Sequence, residues 1–379
     1  MRSLWLLVAG DFTPLGGMDA ANHGLASYLA RRPGTEVHLV THRAWPDLEM
    51  YRSIRVHWVP RPLGRQAIGE MFLRGAARRA ADKIARRGGR VVVNGGNCDW
   101  GDVNWVHYVH AAWTPKAGRG LGRRLKTAAY HRTQLAAEGA SLWRARVIIA
   151  NSEQTRSVLI NRLKLAPERI HTVYYGIDPV RFRPPTADER ADARRRLRWR
   201  DDRPTLAFVG ALGDLRKGLD TLLAAWRRLS SDPFWDARLA VLGTGPMLRR
   251  LRKEYRDLRG SVTFLRFRRD VPEVLFACDA LASPVRYEAY GLNVHEAICC
   301  GLPAFVTESA GVAERYPPEL SELLIPDPED VTDLAARLRR WRDDPKRLVP
   351  AVSAFSDKLR AYTWDDMAER LVGVVDRTS

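Results

Sequence analysis

Short apolar runs rich in Val, Ile and Leu alternate along this chain with longer stretches whose apolar positions recur every three or four residues. The short runs read as strands buried on both faces, the longer stretches as helices. In the first half the strands are expected at Leu4–Ala9, Glu36–Thr41, Arg55–Pro60, Arg90–Asn94, Val103–Val109, Val147–Ala150 and Ile170–Tyr174. The second half restarts the rhythm at Thr205–Val209, Ala237–Leu242, Ser261–Leu265, Ala280–Ala282, Pro303–Val306 and Leu323–Ile325. Such alternation predicts an α/β fold of parallel sheets with helices on both faces. Between the halves, Pro179, Pro184 and Pro185 favour extended backbone and mark 178–186 as a linker. Two domains follow, 1–180 and 187–361, the second opened by a charged helix over Ala187–Arg198.

Length and composition agree with two cores: 379 residues, 45% of them hydrophobic. No apolar run nears the ~18 residues of a membrane span. Leu4–Gly10 is short for a signal peptide, and Asp11 and a glycine-rich loop follow it without a small-residue cleavage site. Cys98, Cys278, Cys299 and Cys300 show neither metal-ligand nor disulfide spacing. A cytoplasmic, reduced protein without a bound metal is expected.

The net charge of +18 changes the picture, because it is uneven. Residues 1–175 hold 27 Lys/Arg against 12 Asp/Glu, the remainder 35 against 32. The first half therefore suits an anionic partner: nucleic acid, an acidic lipid surface or an anionic acceptor. An arginine-rich solvated surface fits as well. No nucleic-acid-binding module and no interleaving of aromatic with basic residues is present, so nucleic acid is not expected as a partner.

The candidate chemistry gathers where strands give way to helices. In Pro284–Ala297 an apolar strand ends, Glu288 follows, a helix starts near Gly291, and Glu296 is expected about two turns into it. Amides at a helix start favour phosphate, and flanking carboxylates accept hydroxyl hydrogen bonds. Gly16-Gly17 lies between the first strand and a helix expected over Ala20–Ala30, where glycine lets backbone come close to a ligand. His107 and His110 are three apart in a segment read as strand, so they point to opposite faces and do not form a metal pair. His110 falls at the carboxyl edge of the sheet, where ligands of such folds gather. Ser152 reads as a helix N-cap. After Thr205–Val209 come Gly210, Ala211, Arg216, Lys217 and Gly218, a basic loop that can balance phosphate charge.

Taken in order, these segments resemble the retaining glycosyltransferases of family 4. The resemblance rests on Glu288-x7-Glu296, Gly16-Gly17, the strand end at His110, Ala150–Glu153, Tyr175–Asp178 (Tyr175 standing where the family has Asn), Lys217-Gly218, Gly243–Pro246, Phe264–Arg268, Glu308–Glu314 and Tyr362–Asp365. It departs at Ala211, where many members carry Arg.

The resemblance implies a GT-B architecture, two Rossmann-like domains facing each other across a cleft. The first domain would take the acceptor, and a terminal helix near 362–379 would cross back to it. It implies a nucleoside-diphosphate sugar as co-substrate, a glycan or lipid-linked acceptor in cell-envelope or exopolysaccharide assembly, and a metal-independent mechanism, with which the lack of an Asp-x-Asp triplet agrees. His110 and Glu288 would be catalytic, with His107 in reserve for His110. Gly16, Gly17, Gly210, Arg216, Lys217, Gly243, Arg268, Tyr290, Gly291, Leu292 and Glu296 would bind the donor. The basic segments Gly64–Arg90 and Lys116–Arg132 suggest contact with an anionic membrane surface, the enzyme being peripheral on the inner face of the plasma membrane. A non-catalytic glycan- or nucleotide-binding protein of this fold, a basic nucleic-acid-binding protein and a sugar-nucleotide epimerase stay open as alternatives.

Overall fold

A computed structural model describes residues 3–64, 66–115, 121–213 and 215–378. Arg65, Lys116 and Arg119 of the basic segments, and Asp214 of the basic loop, lie outside them. The chain divides into two compact units: residues up to Gly176 together with those from Thr363 on, and Ile177–Tyr362.

Unit 1 is built on seven parallel strands: β1 Ser3–Val8, β2 Thr35–Thr41, β3 Ile54–Trp58, β4 Arg90–Asn94, β5 Val103–Val106, β6 Val147–Ala150 and β7 Ile170–Thr172. Their order across the sheet is β3-β2-β1-β4-β5-β6-β7. β5 and β6 are buried along their whole length, as near-continuous apolar runs require when helices cover both faces. The terminal helix Trp364–Arg377 packs on the helix Gly17–Arg31 of this unit. Thr363 and Asp366 form a capping box at its start, and Met367, Leu371 and Val375 are its buried stripe.

Unit 2 repeats the plan with β8 Thr205–Val209, β9 Arg238–Leu242, β10 Val262–Arg266, β11 Ala280–Ser283, β12 Ala304–Thr307 and β13 Leu324–Ile325, ordered β10-β9-β8-β11-β12-β13. Both sheets thus grow outward from their first strand in the doubly wound order, which reverses between β1 and β4 and between β8 and β11. Phe208, Trp226 and Tyr290 fill the core of unit 2; Trp5, Phe12 and Trp105 fill that of unit 1.

Several boundaries differ from expectation. The strand expected over Val103–Val109 stops at Val106, and His110 opens a separate one-turn helix, His110–Ala112. Aromatic and β-branched residues continue past Val106, but their backbone leaves the ladder. The helix expected from Ala20 starts at Gly17, because Gly16 takes φ +86° and serves as its N-cap. The helix expected over Ala187–Arg198 ends at Arg196. Ser152 is an N-cap, accepting the Thr155 amide at 2.9 Å.

Candidate active site

The two loops of unit 2 that carry the expected donor chemistry leave the carboxyl ends of β8 and β11, where the strand order reverses. Ligands of open α/β sheets bind at such a point. The first loop passes Gly210 and closes in a single helical turn, Leu215–Lys217, followed by Gly218. Gly218 has φ +69°, and a Cβ there would stand 1.7 Å from the Pro284 carbonyl oxygen, so only glycine lets the loops meet. They are then fastened by main chain and side chain. The Arg286 amide donates to the Arg216 carbonyl (2.8 Å), and the Arg216 guanidinium donates to the Tyr287 carbonyl (2.8 Å). Arg286, 7% exposed, donates to both Asp220 oxygens (2.7 and 2.9 Å), to Thr221 Oγ1 (3.1 Å), to Glu329 (3.0 Å) and to the Leu215 carbonyl.

This brace sets Lys217 against Glu288. The ammonium donates to Glu288 Oε2, and Arg216 Nη1 lies 3.4 Å from the same oxygen. Burial works to raise the Glu288 carboxyl, but Lys217 and Arg216 outweigh it and hold it below the ordinary glutamate value. Lys217 and Glu288 keep 15% and 16% of their side-chain exposure, so a ligand can reach both. Behind them the loop 308–314 holds the turn: the Gly311 and Val312 amides donate to the Glu288 and Tyr290 carbonyls (3.2 and 2.7 Å).

The helix after the turn is Leu292–Cys299, capped by Gly291 at φ +111°. Glu296 is therefore one turn into it, not two, because the helix starts after Gly291. Burial lifts the Glu296 carboxyl to about 8, with Arg181 alone pulling it down. Among the described residues this carboxyl has no hydrogen-bond or ion-pair partner. Asn293 Nδ2 donates to the Val209 carbonyl (3.0 Å) and ties the helix start to β8. Tyr290 is buried; its hydroxyl meets His295 Nδ1 (2.9 Å) and accepts from Arg315 (2.9 Å), so its side chain supports the turn from within the core. Leu292 is buried as well.

Gly210 and Gly243 join neighbouring strand ends: the Gly210 amide donates to the Leu242 carbonyl (3.0 Å) and the Gly243 amide to the Arg266 carbonyl (2.9 Å). Arg268 turns its guanidinium onto Asp270 (2.9 Å). Structure thus brings Gly210, Arg216, Lys217, Glu288 and Gly291 together, while Glu296 stands one helical turn further on with Arg181 as the charge that acts on it. Gly16, Gly17 and His110 belong to the other unit.

In unit 1, His107 is buried and hydrogen-bonds through Nδ1 to the Tyr175 hydroxyl, which also accepts from Asn151 Nδ2 (3.2 Å). Burial lowers its imidazole to about 3. This gives Tyr175 a packing role and makes His107 a core residue, so the reserve for His110 falls away. His110 itself is partly exposed, its ring set edge-on to Tyr108 at 4.9 Å. Burial, then His131, lowers it to about 4, so it is neutral at pH 7. Near the first strand, Asp11 pairs with Arg43 (2.8 Å) and Arg61 (3.0 Å), and Asp19 in the helix beginning at Gly17 is raised to about 7 by burial and Asp11 against those arginines. No group of three or more His, Cys, Asp or Glu among the described residues is placed to hold a metal ion.

Arg286, Arg315 and Glu138 were not singled out in the sequence. Arg286 had a signal: a lone cation shortly after the apolar run 280–282. Glu138 had another, as the single acid in the basic helix Leu121–Arg144.

Two family models match the chain: Glycosyltransferase Family 4 over residues 15–181 and Glycosyl transferases group 1 over 203–344. A GDP-mannose-dependent monoacylated alpha-(1-6)-phosphatidylinositol monomannoside mannosyltransferase of Corynebacterium glutamicum is 31% identical over 211 residues, 53% of this chain and 54% of that one. A D-inositol 3-phosphate glycosyltransferase of Stackebrandtia nassauensis is 28% identical over 288 residues, 72% and 62% of the two chains. The chain thus spans between about half and less than two thirds of the length of these relatives. Sucrose-phosphate synthase from Thermosynechococcus elongatus superposes with a TM-score of 0.78 at 22% identity, over 99% of both chains.

Proposed function

The chain belongs to the family 4 glycosyltransferases of GT-B fold, and from that premise we propose that it moves a sugar from a nucleoside-diphosphate sugar to an acceptor hydroxyl, with retention at the anomeric carbon and without a metal ion. The observation that carries this reading is the Lys217–Glu288 pair at the reversal of the second sheet. In the reaction the anomeric C–O bond to the diphosphate breaks and a bond to the acceptor oxygen forms on the same face. The acceptor proton passes to the departing diphosphate. Charge growing on that group meets Lys217 and Arg216, whose loop the Arg286 brace already holds in place. Glu288, relieved of Lys217 by the phosphates, takes hydroxyls of the sugar. Glu296 accepts from the ribose, and neutral His110 contacts the sugar from the acceptor side.

Relatives named for D-inositol 3-phosphate and for phosphatidylinositol monomannoside make a phosphate-bearing polyol, free or lipid-linked, the acceptor class to test first. The basic first half fits it. Contact with an anionic membrane surface is part of the same reading. The helices Gln66–Ala85 and Leu121–Arg144 are joined where Tyr130 and Gln134 donate to Glu70 (3.3 and 2.9 Å), and they expose Met71, Phe72, Leu125 and Tyr130 beside Arg79, Arg124, Lys126 and Arg132. Among the described residues no helix is long and apolar enough to cross a membrane.

A thermal-shift screen with UDP, GDP, ADP and their hexose conjugates tests the donor, since a ligand of the native state raises the melting temperature. The conjugate that stabilises most should then turn over with D-inositol 3-phosphate or phosphatidylinositol monomannoside. Absence of any nucleotide-dependent shift sinks the proposal, and binding without turnover favours the non-catalytic alternative.

A further inference from the structure

The one-turn helix His110–Ala112 hangs between two charged side chains from different helices. From Leu121–Arg144, Glu138 accepts the His110 amide on one oxygen (2.7 Å) and the Ala111 amide on the other (3.2 Å). From the helix Glu153–Leu163, Arg162 donates to the Ala111 carbonyl (3.0 Å). A carboxylate thus sits on the amide end of the turn and a guanidinium on its carbonyl end, the signs that the turn's own dipole favours.

We propose that Glu138 and Arg162 are positioning residues, whose joint hold on this turn aims the His110 ring for sugar transfer. The inference rests on the reading of His110 given above.

Three observations support it. Glu138 is 1% exposed and is the single acid of a 24-residue helix. A carboxylate buried without a cation beside it is costly to keep, and the two amides it accepts are what offset that cost. Its two acceptor bonds go wholly to the His110 turn. The His110 ring has no hydrogen bond of its own among the described residues, so beyond its packing on Tyr108 its aim is set by the main chain that Glu138 and Arg162 grip.

The grip is also sensitive to pH. Burial raises the Glu138 carboxyl to about 7, against the pull of the two amides. The charged and titratable groups around it are His110 on the turn, His131 on its own helix, Arg162 beyond the turn, and Glu70 and Arg74 on Gln66–Ala85, where Glu70 meets Gln134 and Arg74 donates to the Gly96 carbonyl. A proton on Glu138 turns one acceptor oxygen into a hydroxyl and leaves one amide poorly paired. Transfer should then fall on the acid side of pH 7.

The test uses the full chain and whichever of UDP-, GDP- and ADP-hexose the wild type turns over, read as release of nucleoside diphosphate. Glu138→Gln and Arg162→Ala should each lower kcat by roughly 10–100-fold, the scale of a misplacement near 1 Å. The donor KM should stay within about twofold. Glu138→Gln should also lose the acid limb of the pH profile, which a residue that only stabilised the fold would not remove. Wild-type kcat with an unchanged profile in Glu138→Gln overturns the proposal. If that variant fails to fold, Arg162→Ala decides, because its side chain is exposed and wild-type kcat there overturns it equally. His110→Ala separates the two layers. If it turns over like wild type, the reading of His110 itself fails. If it is impaired while both positioning variants are not, only this inference fails.

Discussion

At the scale of single residues, the proposed donor site depends on charges that burial and neighbours have moved in opposite directions. Lys217 is committed to Glu288 before any ligand arrives, so diphosphate must displace one charge-assisted bond to gain others. Lys217→Ala should still weaken binding of the stabilising nucleoside diphosphate by roughly 1.5–3 kcal/mol, because two phosphate charges lose their nearest cation. Calorimetry measures this, and unchanged affinity would refute the placement. Glu296 is the opposite case. Its folded value of about 8 lies above the ordinary 4.5, so between those values the folded chain holds a proton that the unfolded chain has released. Stability from this group is full below 4.5 and is lost as pH rises through 8, at up to about 1.4 kcal/mol per pH unit. Glu296→Gln keeps the shape without the titration. Urea unfolding at pH 6, 7 and 8 should show a flatter decline in this variant. Some slope should persist, because Asp19 and Glu138, both near 7, act in the same direction. A slope equal to wild type would mean that Glu296 ionises normally.

At the scale of elements, local pattern was legible and long-range pairing was not. Strand positions came within one or two residues in β1, β4, β6, β8 and β9, because buried parallel strands are continuous apolar runs. The segment after Val106 failed because period-two residues do not reveal whether a partner strand continues beside them. Arg286 was missed for a related reason: its partners Asp220 and Glu329 lie 66 and 43 residues away, and no spacing rule joins them. Gly218 was readable as a turn glycine, but its closeness to Pro284 was not. That closeness yields a sharp comparison. Gly218→Ala forces a methyl against the Pro284 carbonyl at a positive φ, so it should lose more than about 3 kcal/mol and also its nucleotide-induced thermal shift. Gly213→Ala, in the same loop, meets nothing within 4 Å and should stay within about 0.5 kcal/mol of wild type. Equal behaviour of the two variants would show that the loops meet less closely than described.

At the scale of the whole molecule, order of motifs carried more than any motif alone. Glu288-x7-Glu296, Lys217-Gly218 and Gly243 are each short patterns that chance supplies, yet they follow the carboxyl ends of β11, β8 and β9, three neighbouring strands of one sheet. What sequence concealed was the surface, because exposure depends on neighbours. In the basic segment Gly64–Arg90, Ile68, Met71 and Phe72 share a helical face into which Arg79 and Lys83 rotate further along. In the folded unit the apolar part of that face is uncovered, Met71 being 75% exposed, and the adjoining helix adds Leu125 at 63%. Two arginines of the same region are instead paired within the unit while staying exposed, Arg78 with Asp99 and Arg74 with the Gly96 carbonyl. The cations left toward solvent include Arg79, Arg124, Lys126 and Arg132. Near anionic lipid each basic residue contributes about 1 kcal/mol, and an apolar side chain such as Phe72 adds to this by leaving water. Full-length protein should therefore co-sediment with vesicles containing phosphatidylglycerol and not with pure phosphatidylcholine, and raising the salt should release it. Met71→Ser with Phe72→Ser should weaken sedimentation about tenfold or more while leaving nucleotide-induced stabilisation intact, since both side chains are exposed and belong to the unit without Lys217. Equal binding to both vesicle types, or none to either at low salt, would leave the exposed pair as ordinary surface and return the excess charge to the acceptor alone.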